Sequence, residues 1–275
     1  MKTLPQNFTR ILFAIVFLLG FPLSQAGMAG GAEPVKILMV GNSLTYTYDI
    51  PKIIGDLAQG AGKKVEISKH FAGGKSLAWH WANKSGKPER SVQEVIEGGK
   101  WDLIILQDSS NTALKPETRE EFKTSTRSYL DLITKNKETR VMFYMGFVRK
   151  PDITRADVKP VVDMYTEQAD VLQIACAPVS LAFLHCREKA PQFALLDNQV
   201  GLKYAQNKTG THQSPFGSYL AACTLYAAIY DQTPVGNTAR KSGDGTVIED
   251  GDAALAQQIA WETWNEYKAS RKPAS

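Results

Sequence analysis

"VKILMVGNSLTYTYDIP", residues 35–51, runs from an apolar stretch into Gly41, Asn42 and Ser43 before helical spacing begins. The apolar run reads as a buried strand. Its abrupt end on small polar residues leaves a side chain at the sheet's edge, where open α/β sheets place their chemistry. Outward from this stretch, "KVEISKHFA" (64–72), "WDLIILQ" (101–107) and "RVMFYMGF" (140–147) repeat the pattern, with a shorter strand expected near 172–177. Helical spacing covers 50–60, 90–98, 117–136, 157–173, 179–189, 214–232 and 252–267. Ser214-Pro215 supplies a cap and first turn, and 237–252 reads as a loop. Such strand–helix alternation builds a parallel sheet covered by helices on both faces. No internal repeat or domain boundary interrupts it.

The bulk composition, 275 residues with 43% hydrophobic and 22% charged, is that of a globular protein with room for one sizeable core. The beginning of the chain differs. Lys2 and Arg10 precede "ILFAIVFLLGF", and small residues follow, with Ser24 and Ala26 at the positions before a cut. This pattern predicts a secretory signal peptide over 1–26, a short linker over 27–34 and one domain over 35–275. A retained membrane anchor is the alternative reading; after leader removal no stable membrane insertion is expected. The expected location is secreted or periplasmic. Removing Lys2 and Arg10 takes the formal charge from +4 to +2, too little to suggest nucleic acid as a partner. Cys176, Cys186 and Cys223 have no metal-ligand spacing. An exported chain permits a Cys176–Cys186 disulfide, and Cys223 reads as core. Neither a metal nor a cofactor is expected. Asn83-Lys84-Ser85 and Asn207-Lys208-Thr209 fit the glycosylation acceptor pattern, which matters only in a eukaryotic host.

Four segments carry candidate chemistry. Ser43 sits past the first strand and ahead of a helix, where it can be a nucleophile or a helix cap. Gly73-Gly74, at the exit of the second strand, allow either a plain turn or a backbone N–H aimed at a ligand. "LIILQDSSN" ends the third strand with Gln107, Ser109 and Asn111, all able to donate to a developing oxyanion. "GTHQSPFG" places His212 just before a helix N-terminus. Acyl transfer needs a nucleophile, oxyanion donors and a base, and the four segments supply these in order.

Together the segments resemble the blocks of the SGNH, or GDSL-type, hydrolase superfamily, and more closely its exported esterase-like branch, often linked to carbohydrate deacetylation. Gly41-Asn42-Ser43-Leu44-Thr45 resembles the first block, Gly73-Gly74-Lys75-Ser76-Leu77 the glycine block and Leu106-Gln107-Asp108-Ser109-Ser110 the third. The stretch from Gly210 through His212, Gln213, Ser214, Pro215, Gly217 and Tyr219 to Ala222 resembles the last block. The likeness spans roughly 35–236. It implies a flavodoxin-like three-layer α/β/α sandwich with a mainly parallel sheet. It also implies a serine esterase acting on small-molecule or carbohydrate esters, with O-acetyl groups the expected substrate. Ser43 would be the nucleophile and His212 the base. The N–H groups of Ser43 and Gly74, with Asn111 or Gln107, would form the oxyanion hole.

The chain also departs from the family. Where the family places an aspartate three residues before the histidine, this sequence has Thr209. Asp197, in "LLDNQ", is the candidate to orient His212 instead. The Gly-x-Asn form of the third block is missing, so spacing does not choose between Gln107 and Asn111. His80, between Trp79 and Trp81, is a candidate for a sugar-stacking wall; core packing of the tryptophans is the alternative. Thr209 also motivates a rival function, a catalytically impaired carbohydrate-binding protein that kept the fold.

Overall fold

The computed structural model describes residues 33–83, 89–136, 138–206, 208 and 210–271. The expected leader at 1–26, most of the linker, Thr209, Ser85 and Asn207 lie outside the described residues. The first strand, β1, is Val35–Gly41, and the short helix α1 (Ser43–Tyr46) follows it at once. A tight turn at Thr47–Asp49 leads into α2, Ile50–Gly60, with Pro51 in its first turn. Next come β2 (Val65–Phe71), α3 (Leu77–Ala82), α4 (Val92–Gly98) and β3 (Leu103–Leu106). Then follow α5 (Pro116–Ile133), β4 (Arg140–Tyr144), α6 (Arg155–Leu172) and β5 (Ala175–Ala177). The chain closes with α7 (Val179–Lys189), α8 (Pro215–Tyr230) and α9 (Asp250–Ser270).

All strand pairs are parallel and the sheet order is β2-β1-β3-β4-β5. Right-handed crossovers in that order place α3 to α6 on one face, and α2 with α7 to α9 on the other. This is the doubly wound arrangement expected from the sequence. β1, β3 and β4 lie inside the sheet and their apolar runs are buried. β2 lies at the edge and alternates half-buried with exposed positions. The chain reverses its direction of sheet growth between β1 and β3, so a crevice opens beyond Gly41 and Leu106, which is where such folds bind ligands.

Three expectations change on inspection. The fourth strand ends at Tyr144 rather than 147, with one further bond to β5 from Met145 N to Ala177 O at 3.1 Å. "LAWHWA" forms α3, which the spacing did not announce; Ser76 caps it by accepting from Trp79 N at 3.1 Å. Cys176 and Cys186 form no disulfide: both are free and buried, as is Cys223.

α8 is apolar all round, and every residue from Pro215 to Ile229 is buried. Ser214 caps it through Gly217 N at 2.9 Å, while Ser214 N donates to Leu195 O at the same distance. Gly217 makes this close approach possible, since a Cβ there would lie 2.2 Å from Leu195 O. The obstacle is backbone and cannot rotate away. Gly217→Ala should therefore lower the unfolding free energy by about 2–3 kcal/mol or more, read from urea unfolding of the two proteins.

Candidate active site

The turn after β1 is built from side-chain amides. Asn42 is the N-cap of α1: its Oδ1 accepts from Leu44 N at 3.0 Å, and its Nδ2 donates to Lys75 O at 2.9 Å. Ser43 therefore is not the cap. It occupies the first helical position, and its hydroxyl makes no hydrogen bond among the described residues. The backbone N–H of Ser43 is likewise unbonded there, as the first amides of a helix are. Ala72 N donates to Gly41 O at 3.1 Å, which together with the Asn42–Lys75 bond lays the glycine loop against this turn. Within that loop Gly74 has φ of 67°, a left-handed conformation that glycine adopts readily.

Gln107 and Asn111 part company. Gln107 is buried; its Oε1 accepts from Asn42 N at 3.0 Å and from Thr45 Oγ1 at 2.9 Å, and its amide N–H donates to Asp108 O. These hydrogen bonds commit its oxygen and one of its two amide N–H groups to the wall of the crevice. Asn111 is exposed. It lines a cavity of about 220 Å³ with Gly74, Lys75, Trp79, Asp108 and Ser109.

Below that cavity Asp108 ties the two loops together. Its Oδ1 accepts from Leu77 N at 3.2 Å, Ser109 N at 2.5 Å and Thr112 Oγ1 at 3.1 Å. Oδ2 is buried and has no partner among the described residues. Burial, reinforced by the charge of Glu121, pushes the Asp108 carboxyl up to about 6 despite these bonds.

His212 arrives from the far side of the crevice. Its carbonyl accepts from Asp197 N at 2.9 Å, and the next residue, Gln213, forms an antiparallel bridge with Leu196. Gln213 Nε2 donates to Leu44 O at 3.2 Å and to Thr47 O at 2.9 Å. The loop carrying His212 is thus pinned to the helix that starts at Ser43. The His212 ring is half-buried. Burial lowers its pKa and the Arg149 charge lowers it further, while Asp197 opposes both. The Asp197 carboxylate lies within electrostatic reach of His212, but its Oδ1 accepts from Tyr48 Oη at 2.6 Å, and no hydrogen bond joins it to the ring.

His70 and His80 belong to the framework. His70 is in β2, with Nε2 against Arg90 O at 3.1 Å. His80 is fully buried, and its Nε2 contacts Gly41 O at 2.9 Å, so it lines no sugar-binding wall. Burial and the neighbouring His70 lower His80 to about 4, which keeps it neutral. Trp81 packs edge-on against Tyr129, whereas Trp79 faces the cavity with Lys75 Nζ 5.0 Å from its ring centre. Sequence reasoning missed Tyr48, Arg149 and Lys208. Tyr48 and Lys208 reach the site across long separations that leave no local pattern. Among the described residues, no group of three or more His, Cys, Asp or Glu could hold a metal ion, and no helix is long and apolar enough to cross a membrane.

No family model matches the chain, and no curated protein matches it by sequence. Solved structures do. A DUF4886-family protein from Bacteroides uniformis aligns with a TM-score of 0.68 at 19% identity, covering 87% of this chain and 98% of its own. A protein from Slackia heliotrinireducens, provisionally named an SGNH hydrolase, aligns with a TM-score of 0.55 at 21% identity, covering 72% of this chain and all of its own. At these identities the likeness is one of fold: the chain has the α/β architecture of SGNH hydrolases.

Asp108 gives this site a pH signature. Its folded-state pKa lies above the ordinary value of 3.8, so the folded protein holds the proton more tightly and loses stability as pH rises from about 4 through 6. Asp108→Asn should remove that slope. Urea unfolding at pH 4.5 and 7.5 should show the variant gaining about 2 kcal/mol on wild type at the higher pH.

Proposed function

We propose that the protein is an exported serine esterase. Ser43 Oγ attacks the ester carbonyl carbon as His212 takes the hydroxyl proton, and the carbonyl oxygen becomes an oxyanion. The N–H groups of Ser43 and Gly74, with the Asn111 amide, donate to that oxygen. Collapse expels the alcohol, which receives the proton from His212 and leaves an acyl-Ser43 ester. Water, deprotonated by the same imidazole, then releases the acid. The observation that carries this reading is the attachment of the His212 loop, through Gln213, to the helix whose first residue offers an uncommitted hydroxyl.

Two further features support an O-acetylated carbohydrate as substrate: the cavity beside Gly74 is small, and Trp79 lies on its wall. The fold neighbour provisionally named an SGNH hydrolase supports hydrolysis in general. A second reading, a carbohydrate-binding protein without turnover, is favoured by one observation: the Asp197 carboxylate bonds to Tyr48 rather than to the His212 ring.

Turnover of p-nitrophenyl acetate separates the two. Ser43→Ala should reduce kcat by about 10³-fold or more and abolish labelling by a fluorophosphonate probe. A wild-type protein that neither hydrolyses the ester nor takes up the probe would favour binding. Because burial lowers the His212 pKa, the imidazole remains neutral into mildly acidic solution. The acid limb of kcat/KM should accordingly have its midpoint below the ordinary histidine value of about 6.5.

A further inference from the structure

The turn between α1 and α2 is strained. Tyr48 and Asp49 are consecutive non-glycine residues with φ of 54° and 46°, a conformation that L side chains rarely adopt. Such strain persists only where surrounding structure enforces it, and it gathers at functional sites. Here Gly243 enforces it. Gly243 N donates to Tyr48 O at 2.9 Å, and a Cβ at 243 would lie 2.1 Å from that oxygen.

The strained backbone sends the Tyr48 ring inward to a residue 149 positions away. Tyr48 Oη donates its one proton to Asp197 Oδ1 at 2.6 Å. Its oxygen accepts from Lys208 Nζ at 2.9 Å, and the same ammonium lies 4.9 Å from the ring centre. Lys208, Tyr48 and Asp197 thus form a line of hydrogen bonds running towards the His212 loop, where Asp197 N holds His212 O at 2.9 Å.

We propose that Tyr48 is a positioning residue for the candidate base, fixing the Asp197 carboxylate beside His212 in the role that the family gives to a loop aspartate. This rests on the reading of His212 as the base. Tyr48 touches no reacting atom; it acts through Asp197. The charged and titratable groups facing Asp197 are Tyr48, Lys208, His212 and Asp244, and those facing His212 are Arg149 and Asp197.

The test is a proton NMR titration of the histidine ring C–H signals in the full chain, which has only four histidines. The His212 signal is assigned by its loss in His212→Gln. Asp197→Asn removes an opposing charge and should lower the His212 pKa by about 1 unit. Tyr48→Phe, which keeps the ring and lacks only the hydroxyl, should lower it by about half a unit or more, and the double variant should match Asp197→Asn alone. An unchanged His212 pKa in Tyr48→Phe, or shifts that simply add in the double variant, would overturn the proposal. Turnover provides the second readout: Tyr48→Phe should lower kcat about tenfold with KM unchanged, a split that general loosening of the fold would not give. The titration needs no activity. Full turnover in Ser43→Ala would thus remove the esterase reading while the Tyr48 result stood by itself.

Discussion

The buried amide of Gln107 holds together the turn on which the site depends. One oxygen accepts both from the backbone of Asn42 and from the hydroxyl of Thr45, so it fixes the chain on either side of Ser43. The approach is so close that Gly41 has no room for a side chain: a Cβ there would lie 2.7 Å from that oxygen. Gln107 follows β3 directly, and Gly41 ends β1. The bond therefore clamps the two strands between which the sheet reverses its order, and the crevice keeps its width because of it. Buried polar networks of this kind fix one geometry when fully satisfied, since losing a partner strands a donor or acceptor away from water.

A similar division of labour runs round the rim. Asn42 caps a helix and grips the glycine loop, Asp108 gathers the starts of two loops, and Gln213 ties the last loop to the first. These framework residues spend most of their hydrogen bonds on backbone, while among the described residues the Ser43 and Asn111 side chains beside them are left uncommitted. Polar residues thus alternate between structural and available roles along each segment. The distinction lies in partners rather than in residue type.

That explains what was legible in the sequence. β1, α2 and α7 fall on the expected residues because long apolar periods bounded by glycine or proline leave little choice. The doubly wound architecture followed from the alternation. α3 was not foreseen, because six residues rich in aromatics show too little of a helical period. Whether Gln107 or Asn111 faces the crevice also could not be read, since both offer the same amide and only burial separates them. Trp79 and Trp81 are two residues apart yet face different surroundings, one towards the cavity and one towards Tyr129. The contact between Tyr48 and Asp197 depends on a left-handed turn that no local pattern of side chains announces.

The order of synthesis matters for α8. A cylinder apolar on every side cannot be shielded by the sheet alone; α2, α7 and α9 must close over it, and α9 follows it in the chain. His212 stands three positions before that cylinder. A nascent chain that had completed β1 to β5 but not α9 would carry the Ser43 hydroxyl while the loop bearing His212 still lacked a fixed seat. α9, remote from the crevice in sequence, thus decides when that loop gains its seat.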